Sequence, residues 1–151
     1  MINVLETFEQ ASSEAGVVTT IYAATLEARR EAFEIMKKYT FEQFPVNLMF
    51  PFESAGDWST NRRKAVIALS GYILTPIKSK TITYRTREIE DEFIFPMKVI
   101  NIKFVKKINA SQIKDATRAI TDRIRPAYQV ENPQWFGTFY TIQIPIVEAS
   151  C

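Results

Sequence analysis

Residues 135–147, WFGTFYTIQIPIV, restrict the fold more than any other part of this chain. Side chains of a β-strand point alternately to its two faces, so a strand here has two separate sets of neighbours. Neither set is wholly polar, which predicts helices on one side of the strand and a further element covering part of the other side. One set holds Phe136, Thr138, Tyr140, Ile142, Ile144 and Ile146, and the other holds Trp135, Phe139, Thr141, Gln143 and Val147.

A helical pattern runs through residues 86–109. Its apolar residues recur every three or four positions, as on one side of an α-helix: Ile89, Phe93, Met97, Ile100, Phe104 and Ile108. Pro96 interrupts the stretch, and a proline inside a helix removes a backbone donor and costs about 3 kcal/mol. Either the helix begins at Pro96 or one kinked helix spans the stretch. The pattern keeps its phase across the proline, so we expect one kinked helix.

The other segments predict a mixture of helices and strands. We expect helices over residues 2–14, ended by Gly16, and over residues 24–39. Residues 17–22 are either a short strand or the lead-in to the second helix. Further expected elements are an edge strand or proline-bounded strand at 44–52, a polar loop at 53–63, a strand at 64–77 with a possible bulge at Gly71, and a strand at 117–130. Together these predict one domain, residues 1–151, of the α+β class: a mainly antiparallel β-sheet with two or three helices packed on one face.

Composition bears on the size of the core and on the compartment in which the protein is made. A chain of 151 residues can bury enough surface for one stable core without a metal or a disulfide, and its single cysteine has no internal partner. The first sixteen residues carry three glutamates and no basic residue, unlike a signal peptide. No apolar run approaches the length of about eighteen residues that a membrane span needs. We therefore expect a protein made in a cytoplasm, with no membrane partner.

The residue content argues against an enzyme. The chain has no histidine, which removes the commonest general base and the usual transition-metal ligand. Four glycines are too few for a phosphate-binding loop, and Cys151 has no activating neighbour. The acidic cluster Glu88, Glu90, Asp91 and Glu92 could bind Mg²⁺ or Ca²⁺, but acids at the start of a helix are favoured by the helix dipole. We predict no catalytic, cofactor-binding or metal-binding residue.

Charge is distributed unevenly along the chain. Residues 1–26 hold three acids and no base, whereas residues 78–125 hold twelve bases and six acids, an excess of +6. Such an excess attracts polyanions, although the same residues are also typical of an ordinary solvated surface. The two regions could instead contact one another across a subunit interface.

Four segments, taken in order, resemble those of a known group of proteins. They are FPVNLMFPF, AVIALSGYILT, YRTREIEDEFIFPMKVINIKFVKKI and FGTFYTIQIPIVEASC. This order is similar to that of small neck and tail-terminator (tail-completion) proteins of tailed phages, especially phages of Bacteroidetes. Shared features are an aromatic–proline strand, a Pro-Met pair inside the long helix, and a glycine-led last strand followed by proline and cysteine. The resemblance covers roughly residues 40–151.

The resemblance implies helices packed on one side of an antiparallel sheet and a ring of identical subunits in the phage neck or tail connector. Such a ring joins the portal side to the tail and surrounds the channel through which DNA passes. The expected partners are other copies in a six- or twelve-fold ring, neighbouring neck, portal or tail proteins, and DNA. The expected location is the virion, after synthesis in the host cytoplasm.

A ring of this kind needs residues that join its subunits. Because a strand can add to the edge of a neighbour's sheet, we expect Phe136, Tyr140, Ile142 and Ile144 to form a joining strand, extended by a tail from Val147 to Cys151. Aromatic residues are enriched at interfaces, and Trp58 lies in a polar loop. We expect Trp58, Arg62, Arg63 and Lys64 to contact a neighbouring ring or DNA.

Two other functions are compatible with the sequence. The first is a small nucleic-acid-binding accessory protein that uses the basic residues 78–125, although no helix-turn-helix, zinc-finger or ribonucleoprotein motif is present. The second, weaker alternative is a hydrolase subunit that borrows catalytic residues from a partner.

Overall fold

A computed structural model of the protein describes residues 4–50, 53–57, 64–76, 89–111, 120–131 and 135–147. The described residues form three α-helices, α1 (Val4–Glu14), α2 (Leu26–Met36) and α3 (Phe95–Asn109), with a π-helical turn (Glu90–Ile94) directly before α3 and a 3₁₀ turn (Phe41–Gln43) after α2. The strands are β1 (Thr19–Tyr22), β2 (Val46–Met49), β3 (Glu53–Asp57), β4 (Lys64–Pro76), β5 (Ile120–Ala127) and β6 (Trp135–Val147).

The six strands form one mixed sheet in the order β1-β2-β4-β6-β5, and β3 pairs with β4 alongside β2. Only β1 and β2 run parallel among the described pairs, because α2 connects them in a β-α-β unit. The longest ladder joins β4 to β6 from Lys64↔Val147 to Pro76↔Trp135 without a change of register. The two long strands therefore form the centre of the sheet.

Helices pack on both faces of this sheet. On the first face, α1 and α3 cover Met49, Leu69, Ile73, Tyr140 and Ile142. On the second face, α2 covers a smaller core that includes Val46, Leu48, Leu74 and Trp135. The α+β class and the mainly antiparallel sheet are therefore confirmed, with two helices on one face. Helix α2, which packs on the second face, is the further element that we expected to cover part of the other side of β6.

Local sequence explains where the first two helices begin and end. Gly16 has φ +104°, a conformation that glycine adopts without strain. Its N–H donates to the Ser13 carbonyl and the N–H of Val17 donates to the Ser12 carbonyl, both at 3.1 Å, which is the Schellman arrangement. The predicted end of α1 is thus confirmed. Helix α2 is shorter than predicted because Thr25 caps its start, accepting a bond from the N–H of Ala28 at 3.0 Å.

The helical stretch passes through Pro96, as predicted. A π-helical turn, in which the N–H of Phe95 donates to the Glu90 carbonyl, immediately precedes the proline. This wider turn gives the helix a place for a residue that cannot donate a backbone hydrogen bond. The predicted inner row is confirmed as well, because Ile89, Phe93, Met97, Phe104 and Ile108 are all buried.

Three local predictions are wrong. Residues 53–57 form β3 rather than part of a loop, because the first half of the long β4 needs a partner on that side. Of the two alternatives for residues 44–52, the edge strand is wrong, since β1 pairs with the outer side of β2, and the proline-bounded strand is confirmed, since Pro45 directly precedes β2. Gly71 is not a bulge, because it pairs in register with Tyr140. A Cβ at Gly71 would lie 2.7 Å from the Tyr140 hydroxyl, so the glycine leaves room for that ring.

None of the helices in the described part of the chain is both long enough and apolar enough to cross a membrane.

Candidate interaction surfaces

The most extensive buried polar group in the first face is a hydrogen-bonded network around Asn47. The Tyr140 hydroxyl donates to Asn47 Oδ1 at 2.7 Å, Asn47 Nδ2 donates to Ser12 Oγ at 3.1 Å, and Thr20 Oγ1 donates to Ser12 Oγ at 2.9 Å. Burial raises the pKa of Tyr140 well above its ordinary value, more than the bond to Asn47 lowers it. The hydroxyl thus stays protonated, and the network fixes α1 on strands β1, β2 and β6.

The predicted joining strand lies in the interior of the chain. Phe136, Tyr140, Ile142 and Ile144 are at most 1% exposed. Their strand, β6, is hydrogen bonded to β4 along its whole length and to β5 from Gly137 to Gln143, so it is a central strand of the described sheet. The prediction that these four residues join subunits is wrong, because apolar residues on both faces of a strand are typical of a central strand.

The remaining predicted interface residues cannot be placed in the same way. Trp58, Arg62, Arg63 and Cys151 lie outside the described residues. Lys64 and Val147 are described through their backbones, which pair with one another at the end of the β4–β6 ladder. Their role at an interface stays a prediction.

The second face of the sheet is covered only in part. Helix α2 packs over β2 and the end of β4, and it leaves a set of half-buried side chains beside it. We call this set the open face: Ala68, Ser70 and Tyr72 of β4, with Phe139 and Thr141 of β6. The rings of Tyr72 and Phe139 pack at 5.0 Å between centroids, tilted by 57°, which gives the open face an aromatic floor. It offers both apolar and hydroxyl groups to a partner.

Two cavities, of about 560 and 480 Å³, flank the first turns of α2, and both are lined by Leu26 and Arg29. The smaller one opens onto Ala68, Ser70 and Thr141 of the open face. The Arg29 guanidinium lies over the Phe50 ring, 3.7 Å from its centroid, in a cation–π contact. The sequence analysis did not single out Arg29. The only sign of its place beside the cavities was its position one helical turn before the apolar residue Phe33.

Exposed charges differ between α1 and β5. Beside β1, α1 carries exposed carboxylates on Glu6 and Glu9, whereas the neighbouring α2 segment carries both acids and bases. At the β5 end, the side chains of Arg123 and Arg125 are exposed and lie on the same face as Phe139, with which Arg125 is paired across the strands. Among the described residues, neither arginine forms an ion pair and no strand pairs with the outer side of β5. The carboxylates of α1 and the arginines of β5 thus lie on different parts of the surface, although Lys107 of the basic region forms an ion pair with Glu14 of α1 at 3.6 Å.

The described residues contain no group of three or more His, Cys, Asp or Glu side chains placed to hold a metal ion. No protein-family model matches the chain. No curated protein matches it at a significant level either.

Proposed function

We propose that the protein is a structural subunit that joins copies of itself head to tail into a ring, as in the neck or tail connector of a tailed phage. In that role it takes a tail-terminator-like position, between the portal side and the tail, around the DNA channel. The observation that supports the proposal most is that the exposed carboxylates of Glu6 and Glu9 on α1, beside the β1 end, and the exposed arginines Arg123 and Arg125 at the β5 end lie on different parts of the surface. A head-to-tail contact joins two different surfaces, so the acidic β1 end of one subunit can meet the basic β5 end of the next.

The geometry of the β5 end adds to this support. An edge strand exposes unpaired N–H and C=O groups, and a neighbour can pair with them. In β5 these groups lie beside Arg123, Arg125 and the aromatic floor of the open face. Charged pairs at such an edge set which partner docks and in which orientation, while the aromatic side chains supply buried apolar area.

Native mass spectrometry of the purified chain, at low salt and high protein concentration, tests the proposal. We expect a closed species of six or twelve subunits. Reversing the charges of Arg123 and Arg125 to glutamate should abolish that species. The matched control reverses two exposed bases, Arg30 of α2 and Lys38 in the turn after it, which changes the net charge equally and should leave the ring intact.

A nucleic-acid-binding accessory protein is the alternative, and it makes a different prediction. A chain that stays monomeric yet binds duplex DNA, with affinity falling steeply as salt rises, would support that function and contradict the ring.

A further inference from the structure

Helix α3 is apolar on two opposite sides. Its inner side packs on the sheet through Met97, Phe104 and Ile108. Its outer side carries a second row, at steps of four and three residues, which we call the α3 strip: Phe95, Val99 and Ile102. Phe95 is 64% exposed and Ile102 is 47% exposed, although the helix already buries a complete inner side.

Helix α2 also exposes two apolar side chains, Leu26 and Ile35, but they do not form a row at steps of three and four residues. A helix on the surface of a domain has one apolar side, and a helix with apolar residues all round is normally covered on both sides. The steps of four and three residues are the spacing at which one helix packs along another helix. The described part of the chain leaves Phe95 and Ile102 exposed, so the α3 strip has the form of a contact with a helix of a second molecule.

The charges around the strip indicate which helix that is. Exposed Asp91 and Glu92 precede the strip, and Lys103 and Lys106 lie at its other end. If a second α3 lies antiparallel to the first, acids of each helix meet lysines of the other. The apolar residues then meet one another, with Phe95 opposite Ile102 and Val99 opposite its own copy. Opposed helix dipoles favour the same orientation.

We propose that α3 binds α3 of a second copy of this chain, antiparallel, about a two-fold axis near Val99. The contact is self-complementary, as a two-fold interface requires. Lys98 and Lys103 flank the strip, and their long side chains can cover its apolar edges while keeping their charges in water. A contact of one helix with one helix is small compared with the usual range of about 1,200–2,000 Å², so we expect a reversible dimer.

This contact goes beyond the proposed ring and does not depend on it. The ring joins the two ends of the sheet, whereas the α3 contact joins the same surface of two copies. If both exist, the α3 contact pairs subunits of two rings. If the ring does not exist, the dimer remains.

Cysteine cross-linking tests the proposal, in a chain whose native cysteine is removed by Cys151→Ser. A Val99→Cys variant should form a disulfide-linked dimer at least about tenfold faster than an Ile35→Cys control, because only Val99 lies next to its own copy. Ile35 suits as the control because it is 51% exposed on a different helix. Equal rates would overturn the proposal. The two variants are also mixed. If the disulfide between the Val99→Cys chain and the Ile35→Cys chain then forms faster than the disulfide between two Val99→Cys chains, α3 contacts α2 and the proposal is overturned.

Charge exchange provides a second test by sedimentation equilibrium. Glu92→Lys alone, or Lys106→Glu alone, should weaken dimerisation about tenfold, because each reversal acts on two symmetric pairs. The double variant Glu92→Lys, Lys106→Glu should restore the affinity of the natural chain to within about threefold. Failure of the double variant to recover, with the far-ultraviolet circular dichroism unchanged, would contradict the two-fold arrangement.

Discussion

The two faces of the sheet differ in how completely they are covered. The first face is closed by α1 and α3, and its polar side chains bond to one another inside, as Tyr140 does with Asn47. The second face is closed only where α2 lies, and it leaves Tyr72, Phe139 and their neighbours half exposed. The difference shows which surface stabilises the chain and which surface is available to a partner. The following substitutions compare the two, from the largest expected effect to the smallest.

Truncating one phenylalanine on each face should give the largest difference in the free energy of unfolding between the two faces. Phe104 is fully buried against Tyr140 on the first face, so Phe104→Ala should lower the free energy of unfolding by about 3–5 kcal/mol. Phe139→Ala on the open face should cost about 1–2 kcal/mol, because that ring is already partly in water. Denaturant unfolding measures both. Equal losses would mean that the open face is as structural as the first face.

Glycine substitutions test the close contact between the two central strands. A Cβ at Gly137 would collide with the Ile73 carbonyl oxygen and lie 3.0 Å from the Leu74 Cα, so Gly137→Ala should cost about 3 kcal/mol or more. Gly16→Ala is the control, since nothing lies near its Cβ position and only the strain of φ +104° remains, about 1 kcal/mol. Thermal melting of the two variants should differ clearly. A similar loss in both would contradict the close β4–β6 packing.

Removal of one hydroxyl tests the buried network. Tyr140→Phe leaves Asn47 Oδ1 without its donor and should cost about 1–3 kcal/mol, whereas Tyr72→Phe on the open face should be nearly neutral. The loss should also depend on pH. Folding raises the pKa of Tyr140 above the ordinary value of 10.0, so above that pH the unfolded chain loses its proton first and stability falls.

The pH dependence of unfolding checks this sign. The natural chain should lose stability more steeply above pH 10 than Tyr140→Phe does, and the two should run parallel below pH 9. Parallel curves throughout the alkaline range would show that Tyr140 is not buried as described.

The smallest effect on stability should come from the β5 end. Arg123 and Arg125 are exposed, so reversing both charges should change the free energy of unfolding by no more than about 0.5 kcal/mol. A drop of several kcal/mol in denaturant unfolding would instead mark the two arginines as structural residues of the sheet.

Periodicity predicted much of this fold. The alternation at 135–147 corresponds to β6, and the helical row across Pro96 corresponds to α3 with its π turn. Strand β3 was missed because ESAGD has low strand propensity, and only the length of β4 shows that a partner is needed there. The proposed interface residues of β6 were misplaced because an apolar strand with two covered faces and a strand that awaits a neighbour have the same sequence pattern.

The candidate surfaces were less predictable than the elements. The sequence showed that residues 1–26 are acidic and residues 78–125 basic. It could not show that β1 and β5 are the two ends of one sheet, since that follows from strand order rather than from any local pattern. The sequence contains the apolar residues of the α3 strip. Only the packing of the inner side of α3 on the sheet shows that the α3 strip remains exposed.

A mixing experiment with two assembly-deficient variants tests the head-to-tail contact most directly. One variant reverses the basic end, Arg123→Glu with Arg125→Glu, and the other reverses the acidic end, Glu6→Lys with Glu9→Lys. Each variant alone brings like charges together at every contact. In the mixture the natural ends meet one another and the two reversed ends also meet, so head-to-tail joining predicts a closed ring in which the two variants alternate, as measured by native mass spectrometry in an Ile102→Glu background that disables the α3 contact. A mixture that remains monomeric, while the parent chain with Ile102→Glu still forms rings, would contradict the account.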